Sequence, residues 1–226
     1  MPDRLWIIGR PATFATKAEQ PWKKQILAQM EGTLHQTDSL DLEFRLPESM
    51  FFMDGYDLDN LCDPVFTVLT SKMGWYGRKQ TNICSWRAVK KPDTDSGLWV
   101  KQVQDVDVSI DPSSVVFDAK YDGRLPKSAR DPEIPDWLFK LGVVPKVHGV
   151  CGLALIFANI NRSIASLSDG LVKHVIDCLY PVLGGRIGYP ADHRIIELIV
   201  KRENTDENTK YVRIIVWSDS EELTNK

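Results

Sequence analysis

Two aspartates separated by a single leucine, Asp57 and Asp59, stand in the segment YDLDNLCDPVF, where a loop meets an apolar helical pattern. In an extended segment the side chains at i and i+2 point the same way, so the two carboxylates converge. Carboxylates at such short range raise each other's pKa unless a cation compensates their charge. Mg²⁺ suits this arrangement, because it binds oxygen ligands and needs only one or two protein carboxylates. The pair therefore indicates a candidate magnesium site.

The same segment allows a purely structural interpretation. Asp59 or Asn60 could cap a helix that begins at Leu61, and the dipeptide pattern alone favours this reading. Other chemical motifs are absent from the sequence. The segment lacks the ligand spacing of an EF-hand, the chain has no P-loop, GxGxxG or GxSxG, and its four histidines show no paired ligand spacing.

Composition places the chain among ordinary globular proteins. It has 226 residues, of which 43% are hydrophobic and 26% are charged, and its net charge is -3. This charge gives no bulk support to nucleic-acid binding. No stretch approaches the roughly 20 apolar residues of a membrane span, and the amino terminus lacks a secretory signal. Four cysteines without a CxxC pair indicate buried, reduced thiols, so we expect a cytoplasmic protein with no membrane partner.

The chain repeats one pattern of elements twice, with an offset near 110 residues. Strand, helix, strand, helix and strand follow one another in each half, with LDLEFRL and CGLALIFAN as the middle strands, and LWVKQVQDVDVSI and YVRIIVW close the two units as strands. Asp59 falls on Asp169 and Lys90 falls on Lys201. The segment DVSIDPSSVV carries turn chemistry between the two passes. The sequence therefore predicts an α+β fold of two units, residues 1–112 and 113–226.

The order of strand, DxDN, amphipathic helix, short turn and a strand that ends in lysine resembles the RusA family of Holliday junction resolvases. DLDNLCDPVFTVL, GWYGRKQTNI and WRAVK carry the resemblance in the first half, and LSDGLVKHVIDCL, GYPADHRI and LIVK carry it in the second. The two matches cover almost the whole chain. The resemblance implies two tandem RusA-like β-α-β-α-β units that form a pseudo-dimer within one chain, without excluding further dimerisation. The helices that begin at Leu61 and Leu171 should then pack near a common interface.

The resemblance also implies an activity and its residues. RusA-type enzymes cut two strands of branched DNA symmetrically, using Mg²⁺ held by aspartates, and Mn²⁺ is an alternative metal. Metal ligands would be Asp57 and Asp59 in one site and Asp169 and Asp192 in the other, with Lys173 neutralising phosphate charge during cleavage. Candidates for contact with the DNA backbone are Arg87, Lys90 and Lys201.

Each half departs from the family pattern. In the first half Asp63 replaces the motif lysine, and Gln80 stands where a third carboxylate is expected. In the second half Leu167 replaces the first aspartate and Gly170 replaces the asparagine. Three hypotheses follow: a nuclease, a degenerate fold that binds DNA or a protein without cleavage, or an unrelated interaction module. The net charge favours the last two, because phosphate contacts supply most non-specific DNA affinity, and the retained motif residues favour the first two.

Overall fold

The computed structural model describes residues 4–51, 53, 55–75, 82–142, 144, 147–167, 170–206 and 209–218. These residues form an α+β fold around one eight-stranded mixed sheet, as expected from the alternation of strand and helix patterns. The closing strand that the sequence predicts for each half is present. A separate two-stranded hairpin lies between the last helix and the following strand of the large sheet.

The strands are β1 (Arg4–Ile8), β2 (Ser39–Leu46), β3 (Ser85–Pro92), β4 (Gly97–Gln102), β5 (Val115–Tyr121), β6 (Cys151–Ala158), β7 (Gly185–Arg186), β8 (Tyr189–Pro190), β9 (Ile195–Glu203) and β10 (Tyr211–Ser218). The helices are α1 (Glu19–Met30), α2 (Glu48–Phe51), α3 (Leu58–Thr67), α4 (Glu133–Lys140), α5 (Leu171–Asp177) and α6 (Tyr180–Leu183). A π-helical turn, Val68–Lys72, extends α3, and 3-10 turns span Pro112–Ser114 and Asp192–Arg194.

The sheet has the same strand order when it is read inward from either edge. The full order is β1-β4-β2-β3-β9-β6-β10-β5, so each half contributes its first, fourth, second and third strands in turn. In each half the second and third strands are parallel and the other pairs are antiparallel. The halves join where β3 pairs antiparallel with β9, with Arg87 opposite Ile199. The two halves therefore share one continuous sheet.

Side-chain alternation explains how the sheet builds its core. In β2 the apolar side chains of Leu40, Leu42 and Phe44 are buried, and the charged residues between them are only partly buried. The central strand β6 is buried along its whole length, which fits its nearly continuous apolar sequence CGLALIFA. The helices pack on the face that carries the main core.

The opposite face of the sheet is covered in part by the segment between β4 and β5. The sequence pattern predicted a strand through this segment, but β4 ends at Gln102 and the chain continues without regular structure. Val106 from this segment packs with Ile156, Ile199 and Ile215 in a small second core. The linker between the halves is thus also a cover for the outer face.

Two remaining observations concern membranes and thiols. None of the helices in the described part of the chain is long and apolar enough to cross a membrane. All four cysteines are free thiols, and three of them are buried while Cys84 is exposed. The expectation of buried thiols is therefore confirmed for three of the four.

Candidate functional site

Three aspartates from distant parts of the chain meet in one cluster. One carboxylate oxygen from each of Asp57, Asp59 and Asp192 lies within 4.8 Å of the others. Asp57 and Asp59 belong to the first half, and Asp192 opens the 3-10 turn that leads into β9 of the second half. The cluster therefore forms where the two halves of the sheet join, and it contains carboxylates from both.

The start of α3 places the first two carboxylates. The helix begins at Leu58, three residues before the predicted start, and Asp57 stands at its N-cap in an extended conformation. The Asp57 side chain makes no capping hydrogen bond, and it accepts a hydrogen bond from Asn60 Nδ2 at 2.9 Å instead. Asp57 and Asp59 are only 7% and 2% exposed. The pair thus faces the protein interior, and its geometry does not support the helix-cap interpretation.

Lys173 reaches the cluster from helix α5 of the second half. Its Nζ donates to Asp59 Oδ2 at 2.8 Å and to Asp177 Oδ1 at 3.3 Å. Burial lowers the pKa of Lys173, but the Asp59 and Asp177 carboxylates outweigh it and hold this pKa well above its usual range. Lys173 therefore carries a lasting positive charge, and its bond to Asp59 links α5 to the first turn of α3.

Lys90 approaches the same cluster from strand β3. It is 1% exposed, and its Nζ donates to the backbone carbonyl oxygens of His193 and Tyr56. Tyr56 directly precedes Asp57, and His193 directly follows Asp192. One buried lysine thus ties together the two backbone segments that carry the carboxylates. Burial lowers the pKa of Lys90 to about 8, against the opposing effect of the Asp57 and Asp192 charges.

The cluster carries more negative charge than its lysines neutralise. Burial, together with the nearby Asp59 and Asp57 carboxylates, raises the pKa of Asp192 to about 8. Burial and Asp59 raise the pKa of Asp57 to about 6. Within the described part of the chain, the Asp192 carboxylate accepts no hydrogen bond and forms no salt bridge. A proton or a cation must therefore balance this group near neutral pH.

A divalent cation that prefers oxygen fits this donor set. Three carboxylates converge, of which Asp57 and Asp59 are buried and Asp192 is partly buried, and Asp192 lacks a donor of its own among the described residues. Mg²⁺ and Mn²⁺ bind such oxygen ligands, whereas the cluster contains no thiolate or imidazole ligand that would favour softer metals. The residues that could hold the ion are Asp57, Asp59 and Asp192.

The grouping of these residues differs from the sequence-based expectation of one site in each half. Asp192 joins Asp57 and Asp59 rather than forming a separate site, and Lys173 bonds to an aspartate of the other half. Asp169, the fourth expected ligand, lies outside the described residues. The composite arrangement could not be read from the sequence, because no local pattern indicates which strands of the two halves will pair.

Two of the three candidates for DNA contact lie on the opposite face of the sheet. Arg87 Nε donates to Glu197 Oε1 at 2.6 Å, and Lys201 is paired with Asp105. Arg87 also lines a cavity of about 570 Å³ beneath the linker, which does not include the aspartate cluster. The third candidate, Lys90, is buried at the cluster. These positions favour structural roles for all three residues over contact with a DNA backbone.

Sequence reasoning missed one further charged residue at the site. Asp177 lies one helical turn after Lys173, and burial raises its pKa although Lys173 opposes the shift. A carboxylate and a lysine four residues apart on a helix are a recognisable signal for an ion pair. Asp177 therefore helps to hold the lysine that contacts Asp59.

Comparison of the chain with protein-family models, with curated proteins and with solved structures found no match.

Proposed function

We propose that this chain is a RusA-like, Mg²⁺-dependent, structure-specific endonuclease that acts on branched DNA such as four-way junctions. One observation carries the proposal. The cluster unites Asp57 and Asp59 of the first half with Asp192 and Lys173 of the second half. These are motif positions that the two halves retain separately, and together they supply three carboxylates and the lysine of the family pattern.

The sheet supports the tandem arrangement implied by the resemblance. Its two halves have the same strand order from edge to centre, and they meet through the antiparallel pair of β3 and β9. Two equal units related in this way correspond to a dimer enclosed in one chain. Such a pseudo-dimer places residues from both units at the junction between them, which is where the cluster lies.

The chemistry of the donor set suits phosphodiester hydrolysis. A bound Mg²⁺ would lower the pKa of a coordinated water molecule and stabilise the charge that develops on the phosphate. Lys173 would contribute a fixed positive charge beside the scissile phosphate, because its own pKa is held high. Asn60 orients the Asp57 carboxylate, and Lys90 fixes the backbone on both sides of the cluster.

The second candidate function is binding of DNA or of a protein partner without cleavage. It is favoured by the net charge of -3 and by the pairing of Arg87 and Lys201 with carboxylates, since both features weaken the case for strong phosphate binding. Under this alternative, a junction would bind without being cut, and the aspartates would be dispensable for binding.

Cleavage of a labelled four-way junction in Mg²⁺ or Mn²⁺ tests the proposal. We expect the unmodified chain to cut the junction, and Asp57→Asn and Asp192→Asn to abolish cutting while junction binding persists. Asp118→Asn is a matched control, because Asp118 pairs with Arg213 at the far edge of the sheet. Binding without cutting by the unmodified, folded chain would favour the degenerate fold, and the absence of both would favour an interaction module.

A further inference from the structure

We infer that each chain carries one competent metal site and therefore cuts one DNA strand in each binding event. The inference rests on the proposed function and goes beyond it, since a dimeric resolvase with two sites makes two symmetric cuts. It follows from the symmetry of the sheet and from the residues that occupy symmetry-related positions.

If the two halves of the sheet were equivalent, a site shared between them would occur twice. The cluster draws Asp57 and Asp59 from one half and Asp192 and Lys173 from the other. A second site, with the roles of the halves exchanged, would take its aspartate pair from the second half. Its third carboxylate and its lysine would come from the first half. The internal repeat, with its offset near 110, identifies these counterparts as positions 167, 169, 80 and 63.

Three of these four counterparts cannot serve the same chemistry. Leu167, in the place of Asp57, is a buried apolar residue with no oxygen ligand. Position 63 holds a buried aspartate where the lysine would stand, so it adds negative charge instead of neutralising it. Position 80 is a glutamine, whose neutral amide replaces a carboxylate. Positions 80 and 169 lie outside the described residues.

The backbone before α5 also prevents the counterpart of Asn60. Asn60 donates a hydrogen bond to Asp57, and the equivalent position in the second half is Gly170. A Cβ atom on Gly170 would lie 1.3 Å from the carbonyl oxygen of Ser166, which is far inside the contact distance. No side chain fits there, so the second half cannot orient a carboxylate as the first half does.

The intact cluster has a feature that its counterpart positions cannot reproduce. Its Asp192 carboxylate is directed at two other carboxylates without a hydrogen-bond donor among the described residues, which leaves it available to a cation. The Lys173 and Lys90 amines hold the surrounding groups in place. The cluster and its counterpart positions therefore differ in residue type and in how the residues pack.

One competent site limits the reaction to one hydrolysis in each complex. The oxygen of a water molecule forms a bond to phosphorus, and the bond between phosphorus and one sugar oxygen breaks. The leaving oxygen takes up a proton, so the products are a phosphate monoester and a free hydroxyl. The opposing strand of the junction remains intact until a second binding event.

A supercoiled plasmid with an inverted repeat that extrudes a cruciform distinguishes one cut from two. With protein at lower concentration than plasmid, and at a protein concentration where sedimentation velocity gives a monomer, we expect nicked circles to accumulate with almost no linear plasmid. The first cut releases the supercoiling, so the cruciform is reabsorbed before another chain binds. Linear plasmid that forms together with nicked circles from the earliest times would overturn the inference.

The Asp57→Asn variant gives an independent readout. With one site per chain, this substitution should remove all incision, including the nick. If a second site existed, it should remove only one of two cuts and convert linear product into nicked circles, which would contradict the inference. The absence of incision by the folded, unmodified chain on both the plasmid and a synthetic junction would contradict the proposed function itself.

Discussion

Replacement of Asp192 by asparagine should stabilise the metal-free protein at high pH and have little effect at low pH. Burial and the neighbouring carboxylates raise the pKa of Asp192 to about 8, against 3.8 for an ordinary aspartate. The folded state therefore holds this proton more tightly than the unfolded state. Stability from this group is fully present below pH 3.8 and is lost as the pH rises through about 8. Asparagine resembles the protonated form and avoids this loss.

The size of the effect follows from the linkage between proton binding and folding. A single group that binds one more proton in the folded state changes stability by about 1.36 kcal/mol per pH unit. Between pH 5 and pH 8 this would reach about 4 kcal/mol, but the coupled Asp57 proton and solvent relaxation reduce it. We expect the variant to gain roughly 1–3 kcal/mol over the unmodified chain across this range.

Urea unfolding in EDTA at pH 5, 6, 7 and 8 measures this difference. The range ends at pH 8 because the pKa of Lys90 is lowered to about 8. Above this pH, Lys90 makes the folded state more stable as the pH rises, which opposes the effect of Asp192. Asp118→Asn serves as the control, since Asp118 pairs with Arg213 and has a lowered pKa. Equal pH dependence in the Asp192→Asn variant and the unmodified chain would refute the reasoning.

Three further predictions concern the same region. Mg²⁺ at ten times the dissociation constant that it has at pH 8 should raise the free energy of unfolding by about 1.4 kcal/mol at pH 8. The same Mg²⁺ concentration should raise it less at pH 6, because protons compete for Asp192. An unfolding midpoint that Mg²⁺ leaves unchanged at pH 8 would contradict this. Lys173→Met should cost roughly 2–4 kcal/mol in urea unfolding at pH 8, because it leaves Asp59 buried without its partner, and a cost near zero would show that the pair is not needed. Gly170→Ala should lower the free energy of unfolding by roughly 2 kcal/mol or more, because the new Cβ would meet the carbonyl oxygen of Ser166. An unchanged unfolding midpoint would show that the loop can move aside.

Much of the secondary structure could be predicted from side-chain periodicity. The segments LDLEFRL, CGLALIFAN and YVRIIVW form β2, β6 and β10, and the helical patterns form α1, α3 and α5. The pattern failed beyond Gln102, where LWVKQVQDVDVSI alternates like a strand along its whole length. Its later apolar residues pack on the outer face of the sheet without pairing to a strand. Alternation reports which residues are buried, and it does not report whether a neighbouring strand is present.

The residue types of the site could also be predicted, but their grouping could not. The convergence of Asp57 and Asp59 was predicted, but from an extended segment, whereas in the structure Asp59 already belongs to α3 and only Asp57 is extended. Asp192 joins them because β3 pairs with β9, and that pairing depends on the packing of two whole halves. The role of Lys90 was visible in part, since Trp86, Ala88 and Lys90 alternate on one strand face and the first two are buried. A charged residue on an apolar face signals a buried partner, and here the partners are backbone carbonyl groups.

Under the proposed RusA-like function, the grouping of residues in the structure changes the meaning of the departures from the motif. Taken one half at a time, each unit keeps part of a site and lacks the rest, so both would look damaged. Taken across the halves, Asp57, Asp59, Lys173 and Asp192 form one retained set, and the losses at positions 63, 80 and 167 all fall in the other set. Independent damage to two sites would scatter losses over both sets. Their confinement to one set is what we expect if the chain needs a single site and the fold, with both halves, is needed to build it.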